Sequence, residues 1–161
     1  MIALEDLQAL PITNRVTIPE DYQDEMGHMN IQYYVRIYDQ AAWGLFEWLD
    51  ISLEDLRATQ NGMFALKQFI QYFAEVHIGE TVVVRSRVLG KSAKRLHFIH
   101  FMVNESTGKL ASTFEVLATH ADLSIRRSAP FSDVITAKIQ QRIDEHEQLA
   151  WEPPLSGILA P

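Results

Sequence analysis

Asp24-Glu25-Met26-Gly27-His28-Met29-Asn30, followed at once by the apolar run Ile31 to Leu49, is the stretch on which the fold turns. Asn30 is a good helix N-cap, because its side chain can accept a hydrogen bond from an amide of the first turn. The run after it has no proline. Tyr34, Ile37, Tyr38, Ala41, Leu45 and Leu49 repeat at helical spacing, and Val35, Ala42, Trp43 and Phe46 widen that face. A helix apolar over most of its circumference is expected to be a buried one.

Working outward, Arg15 to Ile18 reads as a short strand stopped by Pro19. Ser52, with Asp55 three residues on, is expected to open a short second helix. After Asn61-Gly62 the period changes. Met63 to Phe73, Thr81 to Leu89, Leu96 to Val103 and Lys109 to Leu123 read as strands, separated by Gly79-Glu80, Gly90-Lys91-Ser92 and Glu105-Ser106-Thr107-Gly108. These four are expected to form a meander, antiparallel where the loops are short. Ser132 opens a last helix carrying Ile135, Ile139 and Ile143. Glu152-Pro153-Pro154-Leu155-Ser156-Gly157 looks like a linker. The expected class is α+β: one antiparallel sheet covering one long helix, in a single domain over 1–161 with its core at about 14–131 and a C-terminal helix and tail at 132–161.

Composition narrows the function. Of 161 residues 47% are apolar and 22% charged, as in a globular chain. The net charge of −7 argues against nucleic acid as a partner, since phosphate contacts need clustered cations. There is no cysteine, hence no disulfide, no thiolate metal site and no cysteine nucleophile. Residues 1–6 show no basic region or apolar run of a signal peptide, and no stretch approaches the roughly 20 residues of a membrane span. A cytoplasmic location is expected.

The start of a buried helix offers unpaired amides and a partial positive charge, both suited to the oxygen of a polarised carbonyl. Gly27 allows close approach to the backbone. A carboxylate there can activate water or attack the carbonyl itself. Thioesters suit this equipment, since their carbonyl is electrophilic and a thiolate leaves readily. Asp21, Asp24 and Glu25 are the carboxylates at hand, and each could equally be a loop or cap residue. His28 is either a structural histidine or a group that binds the carbonyl or orients Asp24. Asn30 is at least a cap.

Asp24-x-Met-Gly-His-Met-Asn30 followed by Tyr34 resembles the signature of the 4-hydroxybenzoyl-CoA-thioesterase-like branch of the hot-dog superfamily. The similarity runs from about Val16 to Pro130. Ile70-Gln71-Tyr72 with Gly79-Glu80 resembles that family's second strand and turn, and Arg126-Arg127-Ser128-Ala129-Pro130-Phe131 its exit from the last strand. The resemblance implies a hot-dog fold, a homodimer or homotetramer with sites at subunit interfaces, and acyl-CoA hydrolysis. It implies catalytic roles for Asp24, His28, Asn30 and Tyr34. Gln23 stands where many members have Thr, and Ile31 where many have a second Asn; both bear on the acyl pocket. Met-Gly-His-Met-Asn, with Tyr38-Asp39-Gln40-Ala41-Ala42-Trp43, is similar to a subgroup found with carnitine and betaine metabolism. That adds a betainyl-CoA-like substrate, which Tyr33, Tyr34, Trp43 and Trp48 could cage by cation–π attraction, though core packing is the simpler account of those rings.

Arg85, Arg87, Lys91, Lys94 and Arg95 form the densest basic cluster, suited to the phosphates of coenzyme A or to a charged hairpin edge. Lys91, Lys94 and Arg95 lie nearest the turn and are the expected CoA contacts, with Arg126 and Arg127 second. His97 and His100, three apart on a strand, should face opposite ways and share no metal. There is no His-Glu-x-x-His and no Gly-x-Ser-x-Gly. His120 and Asp122 could be interfacial. No metal and no cofactor beyond the CoA of the substrate is expected. A hot-dog hydratase acting on enoyl-CoA, or a non-catalytic acyl-CoA sensor, are the alternatives.

Overall fold

The computed structural model describes residues 2–161. In chain order it has α1 (Leu4–Leu7), β1 (Ile12–Thr17), a 3-10 turn (Glu20–Tyr22), α2 (Ile31–Trp48), α3 (Leu53–Ala58), β2 (Asn61–Tyr72), β3 (Thr81–Lys91), β4 (Arg95–Asn104), β5 (Lys109–Asp122), β6 (Arg127–Ser128) and α4 (Asp133–Glu147). The long elements fall where the sequence puts them. The short α1, 3-10 turn and β6 carry too little periodicity to be read.

The strands form one sheet in the order β1-β3-β4-β5-β2, with β6 added to β5. β1 runs antiparallel to β3, Thr17 opposite Thr81 and Asn14 opposite Val84. This is the α+β, antiparallel class expected of a hot-dog fold. The expected four-strand meander is corrected to three: β2 is not beside β3 but on β5. The amide of Phe73 donates to Ala111 and that of Leu123 to Gln60, which makes the pair antiparallel. The reason lies in the connection 73–80, which is too long for a tight hairpin turn. Val76 within it is buried and accepts from the Met29 amide at 2.8 Å, so this link is tied to the loop before α2.

Contacts cluster into two units, to both of which α2 and β2 to β5 contribute. The first comprises the described part of Met1–Leu45 with Ile70–Ser86 and His100–Phe114. Its core sets the buried face of α2 (Tyr34, Ile37, Tyr38, Ala41 and Leu45) against the sheet. The Tyr38 hydroxyl bonds Ser112 at 2.6 Å and its ring stacks on Phe114. The Asn14 amide donates to the Ile37 carbonyl. A Cβ on Gly44 would run into the Thr13 carbonyl, so glycine is what lets the helix lie this close to β1. The expectation of burial around most of the helix is not met: Ile31 and Val35 are exposed, as are Arg36, Asp39 and Gln40. Polar residues at those positions give the helix a solvent face.

The second unit comprises Phe46–Phe69, Arg87–Ile99 and Glu115–Pro161. Ser52 caps α3 by accepting from the Asp55 amide, and Ser132 caps α4 by accepting from Ile135. Ile139 and Ile143 are buried, each worth about 1.5–3 kcal/mol by area. The tail is no linker. Arg87 donates to the carbonyls of Trp151 and His146 at 2.7 and 3.0 Å, and Glu115 accepts from the Ser156 amide at 2.7 Å. A buried guanidinium and a buried carboxylate need such partners; the end of α4 with Trp151 supplies the first and the tail the second.

Candidate active site

The loop before α2 is built around one carboxylate. The Asp24 amide donates to the His28 carbonyl, and the Gly27 amide to the Asp24 carbonyl. Gly27 sits at φ +88°, a conformation that a side chain would strain, so the tight turn requires glycine here. Asp24 Oδ1 accepts from the amides of Met26 (2.8 Å) and His28 (3.4 Å). Asp24 Oδ2 lies 3.2 Å from His28 Nδ1. The side chains are 13% and 30% exposed respectively, sheltered but reachable. Met29, fully buried, pins the loop to Val76, and the Asn30 amide donates to Tyr22.

Asn30 is the expected cap: its Oδ1 accepts from the Gln32 amide at 3.1 Å, while its carbonyl takes the Tyr33 amide. Tyr34, one turn in, is buried and meets Tyr72 edge-on, centroids 5.1 Å apart. Burial pushes its hydroxyl pKa up to about 12, helped by Tyr72, Glu75 and Asp24 and opposed by a backbone hydrogen bond at Val76. Tyr34 therefore keeps its phenolic proton at neutral pH. Asp24, His28, Asn30 and Tyr34 thus occupy one loop and helix start. The rivals Asp21 and Glu25 are exposed.

His28 and Tyr34 line an open cavity of about 310 Å³ together with Ile31, Tyr72, Phe73 and Glu75. Asp24 touches this space through His28. Sequence reasoning did not single out Phe73 or Glu75. They arrive from the end of β2, some 40 residues on, and only the β2–β5 pairing brings them here. Three of the four aromatics proposed as a cage have ring partners outside that set. Tyr33 stacks on Tyr22 at 3.7 Å, Tyr34 meets Tyr72, and Trp48 belongs with His146 and Arg142 in the second unit.

The basic cluster divides. Arg85 donates to the Leu10 carbonyl, and Arg87 is buried with its guanidinium 4.6 Å from the Trp151 ring centroid, so both serve the fold. Lys91 is half-buried at the end of β3, and Lys94 and Arg95 are exposed around the following turn, closed by the Ser92 amide on Arg95. Arg126 and Arg127 border a separate cavity of about 260 Å³ with Phe64 and Leu123.

His97 bonds Glu115 at 2.8 Å, whereas His100 bonds Ser86 at 2.6 Å. His120 bonds the Ala129 carbonyl, and Asp122 closes a turn through Ser124. Among the described residues no three His, Asp or Glu side chains gather as a metal site would require. Among the described residues no helix is long and apolar enough to cross a membrane.

A profile described as the thioesterase-like superfamily matches residues 18–139, the loop, α2 and the whole sheet beyond β1 included. The chain belongs to the thioesterase-like superfamily. Its enzyme class is that of a thioesterase. A betainyl-CoA thioesterase of Pseudomonas aeruginosa is 27% identical over 88% of this chain and 89% of its own length. An L-carnitine dehydrogenase/betainyl-CoA thioesterase of Agrobacterium fabrum is 31% identical over 85% of this chain, which corresponds to 28% of that longer protein. A Staphylococcus aureus protein solved in complex with CoA superposes with a TM-score of 0.82 at 22% identity, covering 94% of this chain and 96% of that one, which shows a shared fold.

Proposed function

We propose that the protein hydrolyses an acyl-CoA thioester to the free acid and CoA, with Asp24 at the chemical step. The observation that carries this is the Asp24–His28 contact at the start of α2, opening on the cavity beside it. The thioester carbonyl sits over the helix start. Asn30 already takes the amides of Gln32 and Tyr33, so the Ile31 amide, aided by His28, is the donor to the developing oxyanion. Asp24 takes a proton from water as that water attacks the carbonyl carbon, and the C–S bond breaks to release the CoA thiolate. In the covalent variant an Asp24 oxygen attacks instead, CoA leaves, and water opens the resulting anhydride. Both routes use the same carboxylate. Neither calls on a metal or a cofactor.

Lys91, Lys94 and Arg95 hold the CoA phosphates in this scheme, with Arg126 and Arg127 as the second set. The betainyl-CoA activity of the two curated relatives makes a betainyl thioester the first acyl group to try. β2 ends the main strand path with Phe64, Leu66, Tyr72 and Phe73 about half exposed, which supports assembly of two or more copies along that edge.

The test is thiol release from a panel of CoA esters. Asp24→Asn should retain ester binding and lose about a thousandfold in turnover, or about 4 kcal/mol of transition-state stabilisation. Loss of an enoyl absorbance without thiol release would instead favour the hydratase. Tight binding with no turnover would favour a sensor.

A further inference from the structure

We infer that Glu75, framed by the rings of Tyr34, Tyr72 and Phe73, selects acyl groups that carry a positive charge. This rests on the reading that the cavity beside His28 receives the acyl group. That cavity has an uneven lining. Its walls are aromatic and aliphatic, and no Lys or Arg is among them; Glu75 contributes a carboxylate. Tyr34 and Tyr72 meet at 89°, presenting a ring face and a ring edge at one corner. Ring faces carry negative quadrupole charge and attract a cation, most strongly where water is excluded. Glu75 is only loosely engaged in the fold, by an ion-pair contact with His77. Its Oε2 lies 3.6 Å from His77 Nε2, beyond a hydrogen bond, and its side chain is 68% exposed. Its charge nevertheless reaches the buried Tyr34 hydroxyl, so its field extends into the cavity.

A neutral acyl chain gains nothing from such a carboxylate and would partly desolvate it. A quaternary ammonium gains twice, from the carboxylate and from the rings. It has no N–H to satisfy, so it asks for no hydrogen-bond acceptor at fixed geometry. The chemistry that fits is therefore a short acyl group ending in a trialkylammonium, with the thioester toward His28 and the cation toward Glu75.

The experiment compares two CoA esters of one shape and different charge: trimethylammonioacetyl-CoA and 3,3-dimethylbutanoyl-CoA. For the native protein, kcat/KM should favour the cationic ester by about thirtyfold or more. Glu75→Gln should bring that ratio down at least about tenfold, and Tyr72→Leu by a smaller factor. General damage to the fold would lower both rates and leave the ratio alone. A native ratio near one, or an unchanged ratio in Glu75→Gln, overturns the inference. Calorimetric binding of both esters to Asp24→Asn separates it from the hydrolytic reading. A preference for the cationic ester there upholds Glu75 even if neither ester is hydrolysed, and equal binding removes it even if both are.

Discussion

The molecule contains two carboxylate–imidazole pairs, and they differ in what surrounds them. Asp24 and His28 are 3.2 Å apart in a glycine-bearing loop, the acid 13% and the imidazole 30% exposed. Glu115 and His97 are 2.8 Å apart on neighbouring strands, 1% and 7% exposed. Both Glu115 oxygens are used by the fold, one by His97 and one by the Ser156 amide of the tail. In the loop pair, Asp24 Oδ1 is held by backbone amides while Oδ2 faces an imidazole that itself borders a cavity. The same two functional groups thus make a fastener in one place and, in the function proposed above, a reactive site in the other. Accessibility and the prior claims on each lone pair decide which.

Beyond Asp24 itself, the largest effect should come from breaking the buried pair. Glu115→Ala leaves the His97 imidazole and the Ser156 amide without their acceptor, each an unmet group costing about 1–3 kcal/mol, so unfolding in denaturant should show a loss of about 3 kcal/mol. Turnover per folded molecule should stay within about twofold. A collapse in turnover with stability intact would erase the distinction between the pairs.

A third imidazole sharpens the comparison, because it is buried with a hydroxyl as its hydrogen-bond partner. His100 bonds Ser86 and is held down to about pKa 3 by desolvation. Its proton is then bound by the unfolded chain and not by the folded one between pH 6.5 and about 3. Stability is therefore complete above pH 6.5 and falls as pH drops through that window. At pH 4.5 the loss should be about 3 kcal/mol relative to neutral pH. His100→Gln should flatten the slope of denaturation midpoint against pH. Part of the slope should remain from His146, which burial, followed by Arg87, also lowers. An unchanged slope would show that this imidazole does not pay the burial that its surroundings imply.

His28→Gln keeps a polar side chain beside Asp24 but loses the imidazole. Turnover should fall about thirtyfold, or about 2 kcal/mol, with unfolding shifted by less than about 1 kcal/mol. If stability fell and turnover held, His28 would be a fastener like His97. The smallest effect should be at Asn30→Ala, where loss of the cap costs about 1 kcal/mol. Asn30→Asp should restore most of it, since a carboxylate also accepts from the Gln32 amide.

Much of the fold is legible along the chain. The Asn30 cap and the apolar spacing place α2 within a residue or two, and Ser52 and Ser132 mark the starts of α3 and α4. Apolar runs between turn signals, alternating in Thr81 to Leu89, locate β2 to β5. What these signals do not encode is a strand's neighbour, so the sequence alone places β2 beside β3. The tail reads as a linker because nothing in Glu152 to Gly157 shows that Glu115, far upstream, needs its backbone. The site follows the same rule. Asp24, His28, Asn30 and Tyr34 lie within eleven residues and can be read together. Phe73 and Glu75 come from another segment and gain their meaning only from the pairing that carries them to the cavity.

The most direct test of the central claim is free-thiol release from CoA esters by the native protein and by Asp24→Asn, with ester binding followed in parallel. The account predicts release by the native protein, a loss of about a thousandfold in the variant, and binding retained in both. Release at the native rate by Asp24→Asn would contradict it.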